Sequence, residues 1–331
     1  MKLCLFQTSA KSPVQPGLIT ERGVVSIAAA TKRVAGHSPT EWMIGIIDNY
    51  AKLKPALTKL AKSGKAVPLA KVRLRAPLMR PGKILACIGN YWEHQEREAR
   101  EPNMFLKNPD CVIGPGDTIT LPKFTEPYVF QHEAELAIVF KGPAKAVPQA
   151  NWRRAVFGYT MMIDVSARGE GRFTWKRGSW MGKSFDTFGP MGPCIVTADE
   201  IKDPNKLHLQ FWNDGQLRHD YNTDDMENKV PKLVEWASTI MTLNSGDVLM
   251  CGTNHEGLGP LQDGEKVTIE IKEIGSMTLK VKDPLKRKWE RGIYMGPNST
   301  NPEAVRRARE EEQREAELRQ REVAEGRASA L

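Results

Sequence analysis

Cysteine is scarce. The five thiols, Cys4, Cys87, Cys111, Cys194 and Cys251, are odd in number and scattered without CxxC spacing. A disulfide scaffold and a zinc–thiolate site are both disfavoured on that count. Long apolar runs are also missing. No stretch approaches the roughly 18 residues of a membrane helix. The N-terminus, MKLCLFQTSAKS, has no small-residue cleavage site and reads as a first strand rather than a signal peptide. There is no GxGxxG after a first strand and no Walker A sequence, which argues against dinucleotide-binding and P-loop folds. The expected compartment is the cytoplasm. With 40% hydrophobic and 27% charged residues, the chain has the apolar material for a sizeable core, unlike a disordered one.

The formal net charge of +8 first suggests a polyanion as partner. Its distribution removes that reading. Residues 1–82 hold 14 Lys and Arg against 3 Asp and Glu, residues 83–300 hold 27 against 29, and residues 301–331 hold 7 against 8. The excess lies wholly in the first quarter, so neither nucleic acid nor a membrane is an expected partner.

Three segments follow from the patterning. Residues 1–82 read as a small basic lobe with strand character in KLCLF and GVVSIAAA. A helix follows, with Trp42, Ile46, Ile47, Tyr50, Leu53, Leu57 and Leu60 at helical spacing. Ser38-Pro39-Thr40 is placed to cap that helix and Gly64 to end it. Its lysines read as a solvated face. Residues 83–288 form the body, where short apolar runs alternate with Gly/Asp turns and few helices intervene; VPKLVEWASTIMTL (230–243) is the clearest. This pattern predicts a β-rich α+β domain. Residues 289–331 form a C-terminal extension that ends in a charged, stripe-free tail, a solvated helix or a disordered segment.

Three places in the body carry candidate chemistry. In His132-Glu133-Ala134-Glu135, the two glutamates fall two apart, so a strand presents both carboxylates on one face and Ala134 on the other. Paired carboxylates repel unless neutralised, and a hard divalent cation held through oxygen would do so; the plainer reading is a solvent-facing strand end. Asp164 follows the apolar run GYTMMI, and a buried acid needs a partner, either a basic side chain or the same metal. Three carboxylates plus waters would suit Mg²⁺ or Mn²⁺. In Asn90-Tyr91-Trp92-Glu93-His94-Gln95-Glu96-Arg97-Glu98, a helical turn would put Glu98 on the face of His94, the arrangement of an acid–base pair. An ordinary surface histidine is the alternative.

Taken in order, GNYWEH (89–94), HEAELAIVFKG (132–142), FGYTMMIDVSAR (157–168), GKSFDTFGPMGPCIVT (182–197) and TLNSGDVLMCGTNHEGLGP (242–260) resemble the fumarylacetoacetate hydrolase superfamily in its widespread bacterial-type, acylpyruvase-like branch. The resemblance spans about 200 residues of the body. It implies a mixed β-sandwich roll, a homodimer, and a small N-terminal lobe before the catalytic domain. It also implies Mg²⁺ or Mn²⁺ on Glu133, Glu135 and Asp164, with His94 and Lys183 as catalytic groups. Tyr91, Arg168 and Thr253 fall on substrate-binding positions. The implied substrates are 2-oxo or 2,4-dioxo acids. The implied reaction is hydrolysis of a C–C bond, with isomerisation, hydration or decarboxylation as alternatives on the same site; a metal-binding member without turnover is a further, contrasting reading.

Two departures stand out. The family commonly has an acid three residues after the histidine, where this chain has Arg97 with Glu96 and Glu98 beside it. Glu98 is the better helper because a residue four along shares the face. The common GTPxGVG reads GTNHEGLG here and brings His255 and Glu256 to the expected rim of the site, as specificity residues or, on the plainer reading, as part of a solvated loop.

Overall fold

The structure is a computed structural model that describes residues 1–93, 97–125, 127, 129–169, 173–174 and 179–291, together with single positions 314, 317 and 321. His94 and Glu96 therefore lie outside the described residues, as does almost all of the charged tail. Arg314, Glu317 and Arg321 are helical and exposed.

Residues 1–82 begin with an antiparallel meander of β1 (Lys2–Gln7), β2 (Gln15–Thr20) and β3 (Gly23–Ser26). Helices α1 (Ala28–Thr31) and α2 (Pro39–Ser63) follow. Strands β4 (Ala66–Val67) and β5 (Arg73–Arg75) then return to β3 and β1. Helix α2 starts and stops where its punctuation requires. The Ser38 hydroxyl accepts from the Glu41 amide at 3.2 Å, the Glu41 carboxylate accepts from the His37 amide at 2.6 Å, and Gly64 caps the C-terminus. Its inner face buries Met43, Ile46, Ile47 and Leu57. Lys52, Lys54, Lys59 and Lys62 are exposed, so the lobe's charge on this helix is a solvated face.

The body continues with β6 (Ile84–Cys87), β7 (Met104–Lys107), β8 (Val112–Ile113), β9 (Thr118–Thr120), β10 (Val129–Gln131), β11 (Ala134–Phe140), β12 (Val156–Ile163) and β13 (Ser166–Arg168). After the short helix α3 (Ser179–Lys183) come β14 (Gly189–Thr197), β15 (His208–Asn213), β16 (Gln216–Asn222), helix α4 (Val230–Ile240), β17 (Val248–Met250), β18 (Lys266–Ile271) and β19 (Gly275–Lys282). Among the described residues, a twelve-stranded sheet runs β4-β3-β2-β1-β14-β12-β11-β17-β6-β7, with β5 and β8 attached to β1 and β14. A five-stranded sheet runs β16-β15-β18-β19-β9, and β10 pairs with β13. Parallel pairs (β17 with β6, β19 with β9, β14 with β8) sit among antiparallel ones, so the fold is a mixed, β-rich sandwich with few helices.

The two sheets differ as their sequences do. Every residue of β11 and β12 is buried, as expected for central strands covered on both faces. β15, β18 and β19 alternate, sending Leu209, Phe211, Val267, Ile269, Met277 and Leu279 inward. The strands of residues 1–82 continue the large sheet through β1 and β14, paired Lys2 to Val196 and Leu3 to Ile195. The Met1 ammonium clasps that seam, donating to the Thr197 hydroxyl at 2.6 Å. No described helix is long and apolar enough to cross a membrane, and all five cysteines are buried and unpaired.

Replacing Ser38 by Ala removes one N-cap bond far from the carboxylate cluster. It should lower the unfolding free energy by about 1 kcal/mol in chemical denaturation and leave turnover unchanged.

Candidate metal centre

The centre forms where β11 begins. Ala134 pairs with Ile163, and the Asp164 amide donates to the Glu133 carbonyl at 2.7 Å, so Asp164 lies across from Glu133 one step beyond the ladder. Glu135 is two residues on and shares Glu133's side of the strand. All three carboxylates are buried, and one oxygen from each lies within 4.8 Å of the others. The structure thus brings together the three carboxylates singled out in the sequence.

Basic side chains from three other elements close around them. Lys183, the last residue of α3, donates to Glu133 Oε2 at 2.8 Å and Asp164 Oδ2 at 2.7 Å. Lys107, the last residue of β7, donates to Asp164 Oδ1 at 2.7 Å and also to the Lys183 carbonyl. From β13, the Arg168 guanidinium pairs with Glu133 Oε1, which also accepts from the Ser166 hydroxyl at 3.1 Å. The buried Asp164 thus has two ammonium partners, Lys183 and Lys107, and Lys107 is not among the residues expected from the sequence. Its one signal is a lysine closing an otherwise apolar strand.

The charges are unevenly matched. Burial pushes the Glu133 carboxyl up, but Lys183 and Arg168 outweigh it and hold it well below the usual range. Burial likewise disfavours the Lys183 ammonium, and Asp164 and Glu133 reverse that. Glu135 has no such partner. Burial, then Asp164 and Glu133, push its carboxyl well above the usual range. Its Oε2 accepts from the Gly252 amide at 2.6 Å, and its Oε1 has no hydrogen-bond partner. Gly252 sits at φ +86°, and a side chain there would meet Asn90 Cβ at 3.1 Å, which is why the backbone can approach the carboxylate. Three hard oxygen donors converging on one buried, unpartnered carboxylate oxygen fit a divalent cation such as Mg²⁺ or Mn²⁺. His132 takes no part. Its Nδ1 lies 3.0 Å from His219 Nε2, and burial holds both imidazoles neutral.

The other expected residues differ in their surroundings. Tyr91 is buried, with its ring edge-on to Tyr221 at 5.0 Å, and the Tyr221 hydroxyl donates to the Ala134 carbonyl at 2.5 Å. Thr253 is buried next to Gly252. Glu98 is exposed. Arg97, at the position where an acid was expected, makes a forked pair with the buried Glu227 at 2.5 and 2.7 Å. Arg100 reaches the same carboxylate through Nε at 2.9 Å and Nη2 at 2.7 Å. His255 is bonded to Glu93, a contact that local spacing does not reveal.

Two outcomes test this description. Burial raises the Glu227 carboxyl, but its bonds to Arg97 and Arg100 win and bring it down to about 2 from an ordinary 4.5. A folded-state value below the unfolded one stabilises above about pH 4.5 and is lost as pH falls toward about 2. Glu227→Gln should therefore be less stable than wild type at neutral pH, with the gap closing across that window in acid-unfolding curves. Glu135→Gln removes a repelled carboxylate. In chelator it should melt at or above the wild-type temperature, and the upward shift that Mn²⁺ or Mg²⁺ gives wild type should vanish.

Residues 83–282 match the family model for the fumarylacetoacetate (FAA) hydrolase C-terminal domain. The maleylpyruvate hydrolase of Aquipseudomonas alcaligenes is 30% identical over 299 residues, covering 85% of this chain and 99% of that protein. The crystal structure of maleylpyruvate hydrolase from Sphingobium sp. SYK-6, in complex with manganese(II) and pyruvate, superposes with a TM-score of 0.75 at 32% identity, covering 86% of this chain and 99% of the other. The 5-carboxymethyl-2-hydroxymuconate delta-isomerase of Mycobacterium smegmatis superposes at 0.67 with 33% identity, covering 86% and 99%. With the family domain spanning most of the body and its carboxylate cluster assembled, the chain belongs to the fumarylacetoacetate hydrolase superfamily, in its acylpyruvase-like branch.

Proposed function

We propose that this protein is a divalent-metal-dependent enzyme of 2-oxo acids that cleaves a C–C bond of a 2,4-dioxo, acylpyruvate-like substrate with water. The observation that carries the reading is the buried Glu133/Glu135/Asp164 set, with the unpartnered Glu135 oxygen and the Lys183 ammonium bridging Glu133 and Asp164. Mg²⁺ or Mn²⁺ held by these three carboxylates would supply Lewis-acid stabilisation to negative charge developing on the 2-oxo oxygen.

The chain's own groups do the rest. Lys183 and Arg168 place two cations beside the cluster, where burial keeps water from screening them. They favour an anionic substrate and the charge that develops as the C–C bond breaks. Tyr91 and Thr253 form buried walls that orient the substrate. His94 is the proposed base that activates water for attack on the 4-carbonyl, and Glu98 its proposed helper. The likeness to a maleylpyruvate hydrolase that binds manganese and pyruvate supports the oxo-acid class. A second reading, isomerisation of a 2-oxo enoic acid, is favoured by Arg97, which stands in the expected acid's place and is committed to Glu227.

A panel of 2-oxo and 2,4-dioxo acids with Mg²⁺ or Mn²⁺ should show acylpyruvate cleavage to pyruvate and a carboxylic acid. Glu135→Ala should lower kcat/KM by at least about 100-fold. Turnover that is indifferent to chelator and to this substitution would refute the reading.

A further inference from the structure

An imidazole–carboxylate pair outside the metal cluster spans two loops. Glu93 Oε1 accepts from the His255 amide at 2.8 Å and from His255 Nδ1 at 2.5 Å. A carboxylate only accepts, so Nδ1 carries the proton of this bond and Nε2 is the nitrogen left to act. Among the described residues, Nε2 has no hydrogen-bond partner. The imidazole is 23% exposed and the glutamate 7%, so the carboxylate is hidden while the ring stays accessible.

The surroundings hold the pair rigidly. Asp225 Oδ2 accepts from the Glu93 amide at 3.3 Å and from the Asn254 side-chain amide at 3.1 Å, tying the two loops together. The Asn254 oxygen caps the single turn His255–Gly257 by accepting from the Glu256 amide at 2.8 Å. Arg218 donates to the Gly257 carbonyl at 3.2 Å, and a Cβ on Gly257 would lie 1.5 Å from the Arg218 carbonyl oxygen. Glu93 itself sits at φ +53°, a strained conformation for a residue with a side chain, of the kind that surroundings maintain at functional positions. His255 also belongs to the metal neighbourhood. It lies three residues after Gly252, whose amide donates to Glu135 Oε2 at 2.6 Å, so one loop carries the imidazole and touches the cluster. The charged and titratable groups around the ring are thus Glu93, Asp225, Glu133, Arg218, His219 and Glu256.

We propose that His255, oriented by Glu93, is a proton-carrying catalytic residue for the carbon next to the 2-oxo group. The proposal rests on the oxo-acid reading above. Glu93 is a second carboxylate of the segment that carries Glu98, and it acts through an imidazole on the GTNHEG loop. In cleavage, the water oxygen bonds to the 4-carbonyl carbon and gives up one proton to the base. The bond between C3 and C4 breaks with its electron pair going to C3, and Nε2 of the protonated imidazole donates a proton there. His255 is reprotonated from solvent while the base releases its proton, so one water is consumed per pyruvate and acid formed. Run at C3 of pyruvate alone, the same transfer exchanges the methyl hydrogens with solvent.

That exchange separates this inference from the substrate reading. Wild type with Mg²⁺ in D₂O should place deuterium in the pyruvate methyl group, followed by proton NMR. His255→Gln should lose the exchange and about 100-fold or more in kcat on any acylpyruvate turned over, with Mn²⁺ affinity by calorimetry and melting temperature preserved. Glu93→Gln, the positioning variant, should lower kcat about tenfold at unchanged KM and displace the pH limb that His255→Gln abolishes. His255→Asn replaces His255→Gln if the latter fails to fold. Exchange without turnover of any dioxo acid would overturn the substrate reading and leave the His255 assignment to the variants. Exchange and turnover within twofold of wild type in His255→Gln would overturn the assignment, leaving the pair a loop tie. Wild type that neither exchanges nor turns over would overturn both.

Discussion

Three carboxylates and three basic side chains share the buried start of β11, and most of what is distinctive about the molecule follows from how they are paired. In a low-dielectric interior an ion is tolerated only when its partners are close and its remaining lone pairs are satisfied. Glu133 and Asp164 meet that condition through Arg168, Lys183, Lys107 and Ser166. Glu135 does not: its Oε1 has no hydrogen-bond partner, and that is the point at which a divalent cation would fit. The site is thus neither a salt-bridge network kept for stability nor an open acidic patch. It is a nearly compensated array with one deficit, aimed inward.

That array constrains the rest of the fold. Its acids come from the ends of the β11–β12 ladder, its cations from β7, β13 and α3, and its backbone donor from the turn after β17. The large sheet therefore has to bring β11, β12, β17, β6 and β7 side by side before the charges can be buried. The second sheet covers the same region, and Tyr221 on β16 reaches across to the Ala134 carbonyl. The strands of residues 1–82 join the sheet at β14, which lies next to β12 on the side away from β11.

The loop carrying Glu93 to Arg100 shows how one substitution redistributes roles. A guanidinium cannot assist a histidine as a base helper, and here Arg97 serves as an anchor with Arg100 on Glu227. Glu93, before it in the chain, turns its carboxylate toward His255. An anchored segment and a carboxylate-bound imidazole are both compatible with a preorganised site, in which groups are held in place before substrate arrives.

Much of this was legible in the residues. Period-two alternation and unbroken apolar runs mark the outer and central strands. Ser38 and Gly64 bound the long helix, and the Glu-x-Glu spacing puts two acids on one face, because such patterns encode which side of its own element a residue occupies. Asp164 as a buried acid in need of a partner was legible too. That Lys107 would join Lys183 as its partner was not. Lys107 lies 57 residues from Asp164, Arg97 lies 130 from Glu227, and Glu93 lies 162 from His255. No local periodicity specifies such pairs. They are decided by sheet order and loop packing, which set the distances over which buried charges act.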